Sequence, residues 1–147
     1  MTPSNTDISN TEWQLMRIIW THPGLTSRQL IDDAQSILPW KEGTIKSLLH
    51  RLLQKNLLRQ DKTVRPYAYY PTLSQKEALD HSFQDLMQRV CNKQRQMIIS
   101  QLIADNDLTQ ADCQDLMQQL RDKLKTAPQV IDCQCPPHQC TCQSHCP

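Results

Sequence analysis

Residues 133–142 read CQCPPHQCTC, which sets four thiols in two CxC pairs, Cys133 with Cys135 and Cys140 with Cys142. The PPHQ between them can neither continue a helix nor join a strand ladder, because each proline fixes φ and removes a backbone donor. The segment reads as a site and not as a core element. Thiolate is a soft ligand that selects Zn(II), Cu(I) and iron–sulfur clusters over hard cations. Four cysteines, Cys133, Cys135, Cys140 and Cys142, complete a tetrahedral zinc shell with no open position, as structural or regulatory sites have. Zinc sites more often use CxxC knuckles. A CxC pair brings two sulfurs close enough to bridge neighbouring metal ions, which suits clustered Cu(I). The bland alternative is an incidental cysteine-rich tail or an adventitious disulfide pair, and it is disfavoured because exposed free thiols are a liability. Cys91 and Cys113 fall in helical stripes and read as small packed hydrophobes. His138, His145 and Cys146 lie near the thiols as spare donors outside the metal shell.

A second set of residues suits a different chemistry. Lys41, Thr44, Lys46, Ser47, His50 and Arg51 recur on one face of a helical stretch whose other face is Ile45, Leu48, Leu49, Leu52 and Leu53. Base edges in the major groove offer acceptors and the flanking phosphates need neutralising, so short and basic side chains on such a face fit double-stranded DNA. Taken alone, this is the ordinary solvated face of a buried helix. Its neighbours shift the reading. Between Ser36 and Tyr70 seven Lys or Arg stand against Glu42 and Asp61, a local charge of +5 in a chain whose formal net charge is +1. Residues 74–126 are near neutral, so one stretch suits a polyanion and the rest does not. Thr44, Lys46, Ser47 and Arg51 are the candidates for the groove, with Lys41, Lys62 and Arg65 on the phosphates. His50 shares the face, where a neutral histidine needs no special role.

The elements that must position these groups can be read from capping and periodicity. Ser9 and Glu12 form a capping-box pattern with Ile8 and Trp13 as its staple, and Trp13, Met16, Ile19 and Trp20 make an apolar stripe that ends near His22, Pro23 and Gly24. Thr26 and Gln29 repeat the pattern and predict a second helix to about Ile37. The third runs from Thr44 onward. LLRQ and YAYYP then flank the polar turn DKTVRP, a two-stranded hairpin with Lys62 and Arg65 at its tip. Ser74 and Glu77 open a fourth helix, Met97 to Ile103 lie in a fifth, and Thr109 caps a sixth with Cys113, Leu116, Met117, Leu120 and Leu124. So thin a helical region has little to pack on, so its stripes are expected to pair with a second subunit.

The fold class expected is mainly α. An N-terminal winged helix-turn-helix with a small β-hairpin wing occupies residues 1–73, a helical dimerisation region residues 74–126, and a Cys-rich metal-binding tail residues 127–147. At 147 residues and 38% hydrophobic the chain can bury a core without disulfides. It has no apolar run near the roughly 18 residues of a membrane span, and no signal peptide is expected because MTPSNTDISN is polar and lacks both a basic start and an apolar stretch. A cytoplasmic location is therefore expected, where cysteine clusters are metal or redox candidates. The only glycines are Gly24 and Gly43, so there is no glycine-rich phosphate loop. With no evident nucleophile and partners either, an enzyme is not expected.

The start ISNTEWQLMRIIW, the segment WKEGTIKSLLHRLLQKNLL, the wing through YAYYP and the CxCx4CxC tail together resemble the CopY-type copper-responsive repressors of the penicillinase repressor family. The resemblance covers essentially the whole chain, and the tail is its specific part. Relatives often carry Ser-Pro after the tryptophan where this chain has Lys41 and Glu42 after Trp40. The resemblance implies a homodimer on an inverted-repeat operator upstream of copper-export genes. It further implies Zn(II) on the four cysteines in the DNA-binding form and Cu(I) as the inducer, with a copper chaperone as a further partner and no membrane. Rival readings are a winged-helix repressor whose tail senses redox state or another metal, and a metal buffer or chaperone.

Overall fold

The computed structural model describes residues 7–140, so Cys142, His145 and Cys146 lie outside the described residues. The chain divides into two compact units, Met1–Phe83 and Gln84–Pro147.

The first unit is built on three helices, α1 (Asn10–Thr21), α2 (Ser27–Ile37) and α3 (Glu42–Gln54), with strands β1 (Leu25–Thr26), β2 (Leu58–Asp61) and β3 (Ala68–Pro71). The strands form an antiparallel sheet in the order β1-β3-β2, with Leu25 opposite Tyr69 and Gln60 also opposite Tyr69. Three helices backed by this sheet make a winged helix. The wing has the two strands expected of it. A third, β1, is added because the last two of the five residues between α1 and α2 are held against β3, where the Gly24 N–H donates to the Tyr69 carbonyl at 2.8 Å. Gly24 is a required glycine: its φ is +94°, and a Cβ there would come within 3.0 Å of the Tyr70 hydroxyl.

The α2 capping box forms as expected, with the Gln29 N–H donating to Thr26 Oγ1 at 3.3 Å and the Thr26 N–H donating to Gln29 Oε1 at 3.0 Å. The α1 pattern forms only by half. Ser9 Oγ accepts from the Glu12 N–H at 3.1 Å, but the Glu12 carboxylate turns inward instead of back to Ser9. It is 2% exposed and accepts two hydrogen bonds from Lys55 Nζ, at 3.0 and 2.8 Å. Desolvating a carboxylate is tolerable only with such a partner.

The core gathers Leu15, Met16, Ile18 and Ile19 of α1, Leu30, Ile31 and Ala34 of α2, and Ile45, Leu48, Leu49 and Leu52 of α3. The α3 stripe is the one its spacing predicts. On α1 the buried face is centred on Leu15 and Ile19, with Trp13 and Trp20 at its margin in an edge-to-face contact at 5.2 Å. Trp20 Nε1 donates to the Leu73 carbonyl at 2.9 Å and ties α1 to the segment before α4 (Gln75–Gln88).

The second unit carries a short 3-10 turn (Asn92–Gln94), α5 (Arg95–Asp105) and α6 (Gln110–Leu124), the last with a complete capping box from Thr109 and Asp112. Its apolar side chains stay at the surface: Met97 is 60% exposed and Leu120 also 60%. Among the described residues of this unit, Cys91 is the one buried side chain. None of the helices among the described residues is long and apolar enough to cross a membrane.

Candidate functional site

The α3 face is presented as expected. Lys41 is the N-cap of α3 and makes no side-chain cap, while Thr44, Lys46, Ser47, His50 and Arg51 are all exposed. Lys62 and Arg65 are exposed in the turn between β2 and β3. The acidic intruder, Glu42, sits in the first turn of α3, where the helix dipole favours it. The hydrogen bond from Lys46 and then the charge of Arg28 hold its carboxyl below the ordinary range. Lys46 Nζ lies 3.1 Å and Arg28 Nη1 3.2 Å from Glu42 Oε1. Glu42 therefore orients two cations at the joint between α2 and α3. Arg51 is divided between two tasks, because its Nε lies 3.9 Å from the buried Glu12 carboxylate while its side chain stays 52% exposed.

Two residues on this side escaped the sequence reading. Arg28 was placed by no motif, and only the folded pairing with Glu42 brings it beside α3. Ser27 lines a cleft of about 330 Å³ with Arg65, Pro66, Tyr67 and Tyr69, which sets the wing cation beside the start of α2.

The cysteine site is assembled within the second unit. The sulfurs of Cys91, Cys133 and Cys135 all lie within 4.8 Å of one another. Cys91 Sγ is 3.6 Å from Cys133 Sγ, and Cys140 Sγ is 3.7 Å from Cys133 Sγ. Cys140 is disulfide-bonded in this structure. Cys142, the fourth tail thiol, lies outside the described residues, as do the spare donors His145 and Cys146. His138 is exposed in the turn that the PPHQ stretch makes, with φ +68° and the Gln139 N–H donating to the Pro136 carbonyl at 3.2 Å. Cys113 is exposed on α6 and not packed as its stripe suggested.

Cys91 corrects the sequence reading more sharply. It lies outside the helical stripes, between α4 and the 3-10 turn, and its burial comes from company with other thiols. Asn92 arranges this meeting. Its Nδ2 donates to the Asp132 carbonyl at 2.8 Å and its Oδ1 accepts from the Gln134 N–H at 3.3 Å, so one side chain grips the backbone on both sides of Cys133. The Cys135 thiol is pushed up from 9.0 to about 12, first by its hydrogen bond with Cys91, then by Cys133, with burial and neighbouring sulfur charge adding to it.

The donor set fits a soft metal. It offers sulfur alone, at separations close to the roughly 3.8 Å edge of a tetrahedron built on zinc–sulfur bonds of about 2.3 Å. A cavity of about 230 Å³ adjoins the thiols, lined among others by Cys91, Asn92, Arg95, Gln134 and Cys135. Arg95 Nε is buried there with no hydrogen-bond partner among the described residues.

The family model described as penicillinase repressor matches residues 8–122. The chain belongs to the penicillinase repressor family. A Latilactobacillus sakei protein, described as an uncharacterised 16.5 kDa protein in the ptsI 3' region, is 34% identical over 97% of this chain and 98% of its own length. The penicillinase repressor of Bacillus licheniformis is 23% identical over 78% of this chain and 90% of its own length. Among solved structures, the DNA-binding domain of the repressor BlaI is 28% identical, covering 49% of this chain and 88% of that one with a TM-score of 0.45. The family match ends at residue 122, so the thiol-bearing tail lies beyond it.

Proposed function

We propose that this family member is a copper-responsive transcriptional repressor that binds an inverted-repeat operator of copper-export genes as a homodimer. The observation that carries the reading is a sulfur-only donor cluster in a chain of a repressor family with a winged-helix unit. Relatives are described as penicillinase repressors, and a BlaI structure was solved with the blaP half-operator, which supports DNA as the partner here. On this reading α3 enters the major groove with Thr44, Lys46, Ser47 and Arg51, while Lys41, Lys62 and Arg65 hold phosphates. The exposed apolar side chains Phe83, Met97, Leu102, Ile103, Met117 and Leu120 suit burial against a second copy.

The tail thiols Cys133, Cys135, Cys140 and Cys142 hold Zn(II) in the DNA-binding form and give it up when Cu(I) is in excess. Four thiolates around one Zn(II) and around two Cu(I) carry the same net charge, so the switch rests on geometry. Coupling of this kind is typically worth about 1–3 kcal/mol, a change of about 5- to 150-fold in operator affinity. Measuring that affinity in the zinc, copper and metal-free forms tests the reading, and equal values in all three would refute it. For the wing, Lys62→Ala with Arg65→Ala is expected to lower the slope of log affinity against log salt by about 2, roughly one per phosphate contact. An unchanged slope in a salt titration would remove the wing from the interface.

A redox-sensing tail is the second reading, favoured by the disulfide at Cys140. It requires DNA release by an oxidant without metal, whereas the copper reading requires release by Cu(I) under anaerobic, reducing conditions.

A further inference from the structure

We propose that, once a thiol reductant has opened the Cys140 disulfide, Cys91, outside the CxCx4CxC motif, takes the place of one of the four tail thiols in the shell of the zinc form, joining Cys133, Cys135 and Cys140 there. The inference rests on the metal-sensing reading above and deepens it. Cys91 is 7% exposed in a unit whose other described side chains are all at least partly open, so something specific encloses it. What encloses it is the tail: its sulfur lies 3.6 Å from that of Cys133, across 42 residues of sequence. That separation suits two vertices of one metal tetrahedron. The meeting is held by Asn92, which bonds the backbone at Asp132 and Gln134 and so fixes Cys133 between its two anchors. Arg95 supplies the remaining need. A thiolate shell around Zn(II) is anionic, and the buried Nε of Arg95 lines the same cavity as Cys91 and Cys135 with no other described partner.

With Cys91 in the shell, zinc ties the tail to the segment joining α4 and α5. One tail thiol is then left over. Copper loading needs only the two CxC pairs, which can bridge two Cu(I) by themselves. In the exchange the spare tail thiol loses a proton, Cys91 gains one, Zn(II) leaves and two Cu(I) enter. No electron moves and the proton count is unchanged. The tail is thereby untied from the helical region, which supplies the geometric difference that equal charge cannot.

The test uses the reduced full chain under anaerobic conditions, with Co(II) as the spectroscopic stand-in for Zn(II). Cys91→Ser is expected to keep about three quarters of the cobalt–thiolate charge-transfer intensity, as four sulfurs become three. It should lose at least about tenfold in zinc affinity against a chelator. Its capacity for two Cu(I) per chain should be unchanged, and Cys113→Ser should match the parent throughout. Parent-like intensity and zinc affinity in Cys91→Ser, or a lowered Cu(I) capacity, would overturn the assignment. A parent protein with no cobalt–thiolate band at all would instead overturn the metal reading itself. Since Cys91→Ser could fold poorly, alkylation of the parent, mapped by mass spectrometry, gives an independent answer. Cys91 should be protected in the zinc form and modified in the copper form, and equal protection in both would sink the proposal.

Discussion

Lys55→Met is expected to destabilise the winged-helix unit by about 3 kcal/mol, read as a lower urea midpoint at unchanged slope. Glu12 is 2% exposed, and the ammonium of Lys55, whose side chain is 22% exposed, makes both of the hydrogen bonds that its carboxylate accepts. Lys55 Nζ also donates to the Asp7 carbonyl at 2.8 Å, so the same substitution frees the chain ahead of α1. Arg51, 3.9 Å away and half in solvent, is too distant to replace it, and that keeps the expected loss large. Methionine preserves the stem, so what is lost is the charge pairing and not the packing. Replacing both residues removes the stranded charge as well, so Glu12→Met with Lys55→Met should be more stable than Lys55→Met alone. If Lys55→Met instead costs less than about 1 kcal/mol, the pair behaves as an ordinary surface bridge.

The second large effect concerns the tail. Cys133→Ser with Cys135→Ser should abolish the Cu(I)-dependent change in operator affinity while leaving sequence-selective DNA binding at the affinity of the metal-free parent. Cys133 is the sulfur on which the others converge, 3.6 Å from Cys91 and 3.7 Å from Cys140, and Cys135 completes the group. A hydroxyl is a hard and far weaker ligand for either metal. The core that shapes α3 and the wing draws on none of these residues, so the fold of the DNA-binding unit should not suffer. Fluorescence anisotropy with labelled operator, with and without Cu(I), measures both halves of this statement. Copper-induced release that persists in the double variant would move the sensor elsewhere.

Both expectations draw on contacts of a kind that sequence conveys unevenly. The α2 cap at Thr26 and Gln29, the apolar face of α3 and the hairpin were legible because each is fixed by residues a few positions apart. Ser9 and Glu12 present the same local pattern as Thr26 and Gln29, yet Glu12 serves Lys55, 43 positions away, because a partly buried ammonium is a stronger partner for a carboxylate than a helix-end N–H. Strand β1 was missed since two residues have no periodicity, and their pairing with β3 exists only once the helices have packed. The tail motif announced its chemistry through composition. Its meeting with Cys91 could not be read, because a lone cysteine beside a helix end looks like any small hydrophobe. The signal that could have pointed there is Asn92, a polar side chain able to hold two backbone groups, placed next to a thiol at the start of the 3-10 turn that follows α4.

In the proposed repressor, metal exchange at the tail thiols sets occupancy of the operator. Anaerobic titration of the zinc-loaded protein on labelled operator DNA with Cu(I), following released zinc with a chromogenic chelator and DNA occupancy by anisotropy in the same cuvette, tests it directly. Zinc release and DNA release should rise together and finish at two Cu(I) per chain. Zinc that leaves completely while the operator stays bound would contradict the claim.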